Sequence, residues 1–414
     1  MVDLAEFGGE MSSQAASMQD YKRTIGMVAL GYWSAALTNG ALRVVLPVYL
    51  ASIGVSISKI AFLFFLFKFA EIFAPMGIGI MLNRWGYKRT FLTGLAIHSL
   101  ISFLYLVPTF VGIYVERFIR GMLYFADMSS VYVKHFAARE KQRFLINMVL
   151  GLKEASKGVG MIGGGLLIAY LSLEHTVAVF AILTAFSTLA AAIYLPDLKE
   201  KARMPVLKIW GAVNKQIKTL GLGFGFLNGA LDAWGVVVLP VYLTQVLGVA
   251  PAFVGTVMMA EYVFQGLIVT FFSKYVNLGW APRKLLVLGS LLLIPVCLVM
   301  TLPATLYMFL GLVFVYMFLF SSSMVYYNHL MLEFASEEKT SLDLATYTTL
   351  TNLFKPFGVF VSGLLVDSMG FSWAYYFAAF LTLCSALTCL ALPKSDAPEP
   401  QFQGAYATET RASD

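Results

Sequence analysis

Asn39-Gly40-Ala41-Leu42-Arg43 runs on to Leu46-Pro47-Val48-Tyr49-Leu50. Roughly 190 residues later, Asn228-Gly229-Ala230-Leu231-Asp232 runs on to Leu239-Pro240-Val241-Tyr242-Leu243. Both phrases lie in long apolar segments, and each carries one charge that a bilayer would penalise. Near-repetition over that distance predicts two similar halves, each crossing a membrane.

Two further pairs extend the repeat. Lys157, Gly160, Gly165, Leu166 and Leu167 have counterparts at identical spacing in Lys355, Gly358, Gly363, Leu364 and Leu365. Val131-Tyr132 with His135 matches Val325-Tyr326 with His329. All three anchors share an offset of roughly 200 residues and occur in the same order, which is a statement about fold. Aligned on the prolines, Asp232 falls opposite Asn39; aligned on Asn-Gly-Ala-Leu, it falls opposite Arg43. The difference is about one helical turn, so the helix face is kept.

Composition agrees with a membrane chain. Of 414 residues 59% are hydrophobic and 13% charged, and the mean hydropathy is +0.77. A soluble domain is about a quarter charged. The formal net charge of +6 and pI near 9.0 fit basic loops on one side of a bilayer better than nucleic-acid binding. Cys297, Cys384 and Cys389 sit in apolar stretches and read as packed hydrophobes. Met1 to Gln19 is polar and does not read as a signal peptide.

Apolar runs suggest about twelve spans, at 25–50, 60–82, 90–107, 109–135, 145–171, 174–195, 217–246, 251–276, 285–302, 304–332, 343–368 and 371–392. Their length favours helices over barrel strands. Arg84, Lys88 and Arg89, then Arg139, Lys141 and Arg143, then the Lys/Arg-rich stretch 197–216, then Arg283 and Lys284 fall in alternate connections. Lys59 is the exception on the other side. This pattern puts both termini in the cytoplasm. The expected organisation is an N-terminal cytoplasmic tail (1–21), a six-helix bundle (22–196), a cytoplasmic central loop (197–216), a second six-helix bundle (217–393) and a disordered C-terminal tail (394–414).

Between spans two and three, Gly79, Arg84, Gly86 and Lys88 fit the loop motif Gly-x-Leu-x-Asp-Arg-x-Gly-Arg-Lys, whereas Met81, Asn83 and Tyr87 depart from it. With that loop and the repeat, residues 22–393 resemble the major facilitator superfamily. A fainter second copy is Gly279, Arg283 and Lys284. The resemblance implies an all-α membrane protein of twelve helices in two pseudo-symmetric bundles, with spans three, six, nine and twelve as outer supports. The charges divide the same way: the apolar cores of those four spans hold no Asp, Glu, Lys or Arg.

The remaining spans hold Arg43, Lys68, Glu71, Arg117, Arg120, Asp127, Lys157, Asp232, Glu261 and Lys355. Buried charges of this kind face a cavity or a partner. Cations outnumber the acids in this set, which favours a small anionic substrate. Arg43, Arg117, Arg120, Lys157, Lys355 and Asn39 are the expected substrate ligands. Asp232, Glu261, Asp127, Glu71 and Lys68 are the expected proton-coupling or gating groups, since a carboxylate whose neighbour changes can gain and lose a proton each cycle. Gly79, Arg84, Gly86 and Lys88 form the conformational loop. Competing readings pair Lys68 with Glu71 on one helix, pair Arg43 with Asp232 as a gate, and place Arg117 and Arg120 near the outer face. Lys153 and Glu154 read as snorkelling residues near the cytoplasmic end of span five. Lys157 and Lys355 are read as having no same-helix acid at helical spacing.

Span five is rich in glycine (Gly158, Gly160, Gly163, Gly164, Gly165), which permits close helix approach. Gly160, Gly164 and Gly165 fit the antiporter motif of the resembled family, with Ser156 and Met161 in place of a glycine and the proline. That tilts the reading toward efflux. Pro47, Pro240 and Pro356 are expected kinks. His98, His135, His175 and His329 show no metal-ligand spacing, and neither a phosphate-cradling glycine loop nor a catalytic constellation occurs, so no cofactor, metal or enzyme activity is expected.

Within the superfamily, Tyr32-Trp33 with Leu37 to Arg43, Lys157-Gly158-Val159-Gly160, Leu195-Pro196-Asp197-Leu198, and Asp232-Ala233-Trp234 leading to Leu239-Pro240-Val241 resemble the organoarsenical efflux permeases of arsenic-resistance operons. That resemblance implies proton-coupled export of an arsenate ester of a glycolytic acid across the inner membrane. Asn39, Leu231 and Lys68 depart from its charge pattern. A carboxylate-siderophore transporter, a broad drug–proton antiporter and a non-transporting sensor or scaffold are the alternatives. A monomer is the default.

Overall fold

The computed structural model describes residues 4–106, 109–123, 139–196, 214–273, 282–302, 305–335 and 340–392, with backbone only for 4–22, 75–77, 79, 83, 139–148, 150–151, 273, 282, 332 and 340–342. Asp127, His135, most of the central loop, Gly279 and the C-terminal tail lie outside these residues. The described residues contain helices and no strand. They are α1 (Leu4–Ser52), α2 (Ile57–Ser102), α3 (Phe110–Met122), α4 (Arg139–Tyr170), α5 (Leu173–Tyr194), α6 (Lys215–Gly235), α7 (Val238–Val241), α8 (Pro251–Ser273), α9 (Pro282–Val299), α10 (Leu306–Phe334), α11 (Thr340–Met369) and α12 (Ser372–Leu390). Among the described residues eight stretches are long and apolar enough to cross a membrane: Arg23–Ser52, Arg84–Leu106, Leu173–Tyr194, Lys215–Val246, Pro251–Phe272, Leu306–Met331, Asp343–Met369 and Ser372–Leu390. This is a multi-pass, all-α membrane protein.

The expected separation of spans two and three falls within α2, which breaks at Gly86 (φ 78°, ψ 176°), a conformation natural to glycine. Ala74, Ile78 and Leu82 before the break share a buried core with Tyr87, Phe91 and Leu95 after it. A straight helix would hold Ala74 and Leu95 about 31 Å apart, so the chain must turn at Gly86. The prolines do differ from expectation. Helix continues through Pro47 in α1 and Pro356 in α11, but Pro240 lies just after a break at residues 236–237. Proline lacks the amide that would reach the Val236 carbonyl. The chain then widens into a π-type turn, Tyr242–Val246, with Leu247 N–H donating to Tyr242 O at 3.1 Å.

The chain packs as two compact units. The first holds residues 1–208, 231–263 and 355–374; the second holds 209–230, 264–354 and 375–414. In the first, α1 packs most extensively on α4, and glycines set the separation. A Cβ on Gly40 would meet the Lys157 carbonyl, one on Gly160 the Leu37 carbonyl, and one on Gly164 the backbone of Ala41. The glycines of α4 also seat α8: Gly165 lies against Pro251, and Gly255 of α8 against Met161.

The second unit repeats the first theme. Gly225 and Gly229 of α6 lie against Leu350 and Phe354 of α11. Gly229 is the repeat partner of Gly40, and Phe354 adjoins Lys355, the repeat partner of Lys157. Phe224 stacks on Tyr327 with centroids 4.7 Å apart, and the Tyr327 hydroxyl meets Ser385 Oγ at 3.0 Å and Cys389 Sγ at 2.9 Å.

Gly40→Ala and Gly160→Ala should each cost about 1–3 kcal/mol by forcing α1 and α4 apart. Gly26→Ala, where a Cβ meets nothing within 4 Å, is the control. Thermal unfolding of the detergent-solubilised protein measures the difference.

Candidate functional site

The α1–α4 contact decides where the charges fall. With Gly40 against the Lys157 backbone, Arg43 lies about one turn along α1 from Lys157's level. Tyr262 of α8 joins the two. Its hydroxyl accepts a hydrogen bond from Arg43 Nη1; its ring centroid is 5.4 Å from the Arg43 guanidinium carbon and 5.0 Å from Lys157 Nζ. Both separations are within the reach of a cation–π attraction. One tyrosine therefore holds two cations from different helices.

Lys157 Nζ also lies 3.7 Å from Glu154 Oε2, and Lys153 Nζ 2.8 Å from Glu154 Oε1. This corrects the expectation that Lys157 lacks a same-helix acid: Glu154 stands three residues before it, although 44% of its side chain is exposed. Lys68 Nζ pairs with Asp232 Oδ2 at 2.9 Å, with side chains only 13% and 7% exposed. Lys68 thus takes an acid on another helix and not Glu71, and the Arg43–Asp232 pair does not form. Among the described residues Arg43 and Lys355 have no carboxylate within 4 Å.

The remaining members gather around these. Arg43 is within electrostatic reach of Asp232, Glu261 and Glu154. Lys355 is within electrostatic reach of Lys68, Asp232, Glu71 and Lys157. Glu261 is buried, and its Oε1 has no hydrogen-bond partner among the described residues. Asn39 Oδ1 is buried in the same condition.

Arg117 and Arg120 belong to a different, closed cluster. Glu116 is fully buried and accepts from Arg117 Nε at 2.7 Å, from Arg120 Nε, and from the Tyr105 hydroxyl at 2.7 Å. Arg120 Nη2 donates to Ser102 Oγ at 2.5 Å and to the His98 carbonyl at 3.4 Å. Both arginines are at most 2% exposed. Their charge is already used within the α2–α3 region. Of the conformational loop, Gly86 forms the break in α2 with Thr90 Oγ1 donating to its carbonyl at 2.7 Å, Arg84 is exposed, Lys88 is half-buried and Gly79 lies in helix. Among the described residues no three His, Cys, Asp or Glu side chains gather as metal ligands.

A sequence model described as "Major Facilitator Superfamily" matches residues 28–217 and 221–411. The chain belongs to the major facilitator superfamily. No curated protein matches this facilitator in sequence. Solved structures share its fold. A point mutant of the nucleoside transporter NupG aligns with TM-score 0.68 at 13% identity, over 89% of this chain and 99% of that one. A bacterial homologue of the human lysosomal transporter Spinster, in an inward-facing and occupied conformation, gives 0.70 at 14% over 88% and 94%. A bacterial homologue of the iron transporter ferroportin, in an inward-facing state, gives 0.68 at 15% over 89% and 98%. This facilitator is a membrane transporter and not an enzyme.

Sequence reasoning misses three of the facilitator's polar residues. Nothing in the sequence separates Tyr262 from the other aromatics; only the placement of its ring between two cations does. Glu116 is findable, because it precedes Arg117 and lies four residues before Arg120, a spacing that pairs charges on one helix. Glu154 reads as a rim residue, and its three-residue distance to Lys157 is the overlooked signal.

Two stability tests follow. Lys68→Met alone should destabilise by about 3–5 kcal/mol, because it strands a buried carboxylate, whereas Lys68→Met with Asp232→Asn should recover most of the loss. Glu116→Gln should be at least as damaging as Lys68→Met, since it strands two buried guanidiniums. Melting temperatures of the purified variants read both outcomes.

Proposed function

We propose that this facilitator is a secondary active transporter that carries a small organic anion across the inner membrane by alternating access, as a monomer with both termini in the cytoplasm. One observation carries the reading: Arg43 and Lys157, from two helices, converge on Tyr262, with Lys355 within electrostatic reach of Lys157. Arg43 and Lys355 have no paired carboxylate among the described residues, so an anion entering this region meets cationic charge still available for bonding. The planar Arg43 guanidinium suits a carboxylate or phosphate. Asn39 adds a neutral polar group nearby. Arg117 and Arg120 leave the substrate set, because Glu116 already engages them.

In this reading Glu261 carries the proton. It is a buried carboxylate without a cation at pairing distance among the described residues, and it neighbours Tyr262 in sequence. Protonation there changes the charge beside the substrate cations, which couples the two loads. Lys68–Asp232 acts as a gate that holds its own charges while the site is empty. The direction is efflux, and the favoured substrate is an organoarsenical phosphoglycerate, on the sequence resemblance given above.

The first test is arsenate resistance of cells that also express glyceraldehyde-phosphate dehydrogenase. The transporter should raise the tolerated arsenate concentration, and Arg43→Ala, Lys157→Ala or Lys355→Ala should abolish the gain. Unchanged resistance with the wild-type chain removes the arsenical. In proteoliposomes each of these substitutions should weaken apparent affinity about 10–100-fold, the worth of a lost charged hydrogen bond. Glu261→Gln should keep substrate exchange but abolish accumulation driven by a pH gradient. Accumulation that persists in Glu261→Gln transfers the proton role elsewhere.

A further inference from the structure

Helix α2 begins without using its own cap. Ser56 occupies the N-cap position with extended backbone (φ −60°, ψ 146°), yet its side chain caps nothing and lies 3.3 Å from Ser58 Oγ. Thr109, Ser172 and Thr305 at comparable positions each accept from the amide three residues on. The free amides at the start of α2 are taken instead by a residue far along the chain. Asp367, near the end of α11, accepts from Ile57 N at 2.9 Å through Oδ1 and from Ser58 N at 2.8 Å through Oδ2. A carboxylate at a helix N-terminus also meets the positive end of the backbone dipole.

The clasp closes a seam that the repeat presents twice. On one side Gly363 of α11 lies against Ala61, Ile57 O and Ser58 of α2. On the other, Gly165 of α4, the repeat partner of Gly363, lies against Pro251 and Ala252 of α8. The repeat continues here beyond its opening phrases, since Gly54-Val55 precedes α2 as Gly248-Val249 precedes α8, and both glycines have positive φ. The two seams differ in chemistry. Helix α8 starts with Pro251, which has no amide to donate, and the position matching Asp367 is Ala169. Of the two seams, the α2–α11 one is clasped through backbone amides. Gln245 Nε2 reinforces the same end by donating to Ala51 O at 2.9 Å, and Tyr242 packs edge-on to Phe371 with centroids 5.4 Å apart.

We infer that Asp367 is a positioning residue for the transport cycle: it holds the α2–α11 seam closed by replacing Ser56 as the cap of α2, and Ser56 resumes that cap when the seam opens. The inference rests on the alternating-access reading above, which places this end outside. The two residues then bias one equilibrium in opposite senses. Removing the carboxylate favours the open seam, and removing the Ser56 hydroxyl favours the closed one.

The test uses the full chain in lipid nanodiscs, with Cys297, Cys384 and Cys389 replaced by alanine and spin labels on Ser52→Cys and Ser368→Cys, both exposed positions. Electron–electron distance distributions report the seam. Asp367→Ala should raise the ratio of long to short distances about fivefold, Asp367→Asn, which keeps one acceptor, by less, and Ser56→Ala should lower it. Asp367 is exposed, so its replacement opens no core cavity. A wild type that samples both distances while Asp367→Ala leaves their ratio unchanged overturns the clasp, as does Ser56→Ala moving the ratio in the same sense as Asp367→Ala. A single distance in the wild type and every variant overturns alternating access at this seam, and the clasp with it.

Discussion

The backbone contact between α1 and α4 is the constraint on which the charged region depends. Gly40 and Gly160 remove the side chains that would hold the two helices at an ordinary separation, so each backbone rests on the carbonyl of the other. That fixes Arg43 relative to Lys157. The α4 glycines repeat the arrangement toward α8 and bring Tyr262 to both cations. Three helices are thereby registered by the absence of side chains, and the polar groups inherit positions they could not hold by their own flexible stems.

Within that frame the polar residues sort by how completely their charge is used. Glu116 engages two arginines and a tyrosine and is sealed from solvent. Lys68 and Asp232 form a one-to-one pair that is nearly as buried. Arg43 leans on a neutral hydroxyl and a ring, which stabilise a cation without cancelling it. A bilayer protein retains an uncancelled charge at considerable cost, and in the proposed reading that cost is why Arg43 and Lys355 are assigned to the substrate.

The repeat and the fold class were legible in sequence because they rest on local spacing. The glycine of Asn-Gly-Ala-Leu makes a backbone contact in each unit, Gly40 on Lys157 and Gly229 on Phe354. Lys68 shows where local spacing fails. Glu71 is at helical distance, but Asp232 on another helix takes the pair, and no periodicity reports which faces of separate helices meet. The π-type turn after Pro240 was likewise hidden: proline marks where a helix can change, and packing decides how. Asp367 is the extreme case, a cap separated from its helix by most of the chain.

The Glu116 cluster has a consequence for biosynthesis. An arginine entering the bilayer centre costs about 2.5–3.5 kcal/mol on translocon scales. Arg117 and Arg120 share one helical stretch with the acid that binds them, so the offset of one of their two charges needs only local helix formation and no later helix. The nascent segment can therefore enter lipid with two of its three charges already offset. Its polar knot is assembled by the ribosome's own product before the rest of the bundle exists.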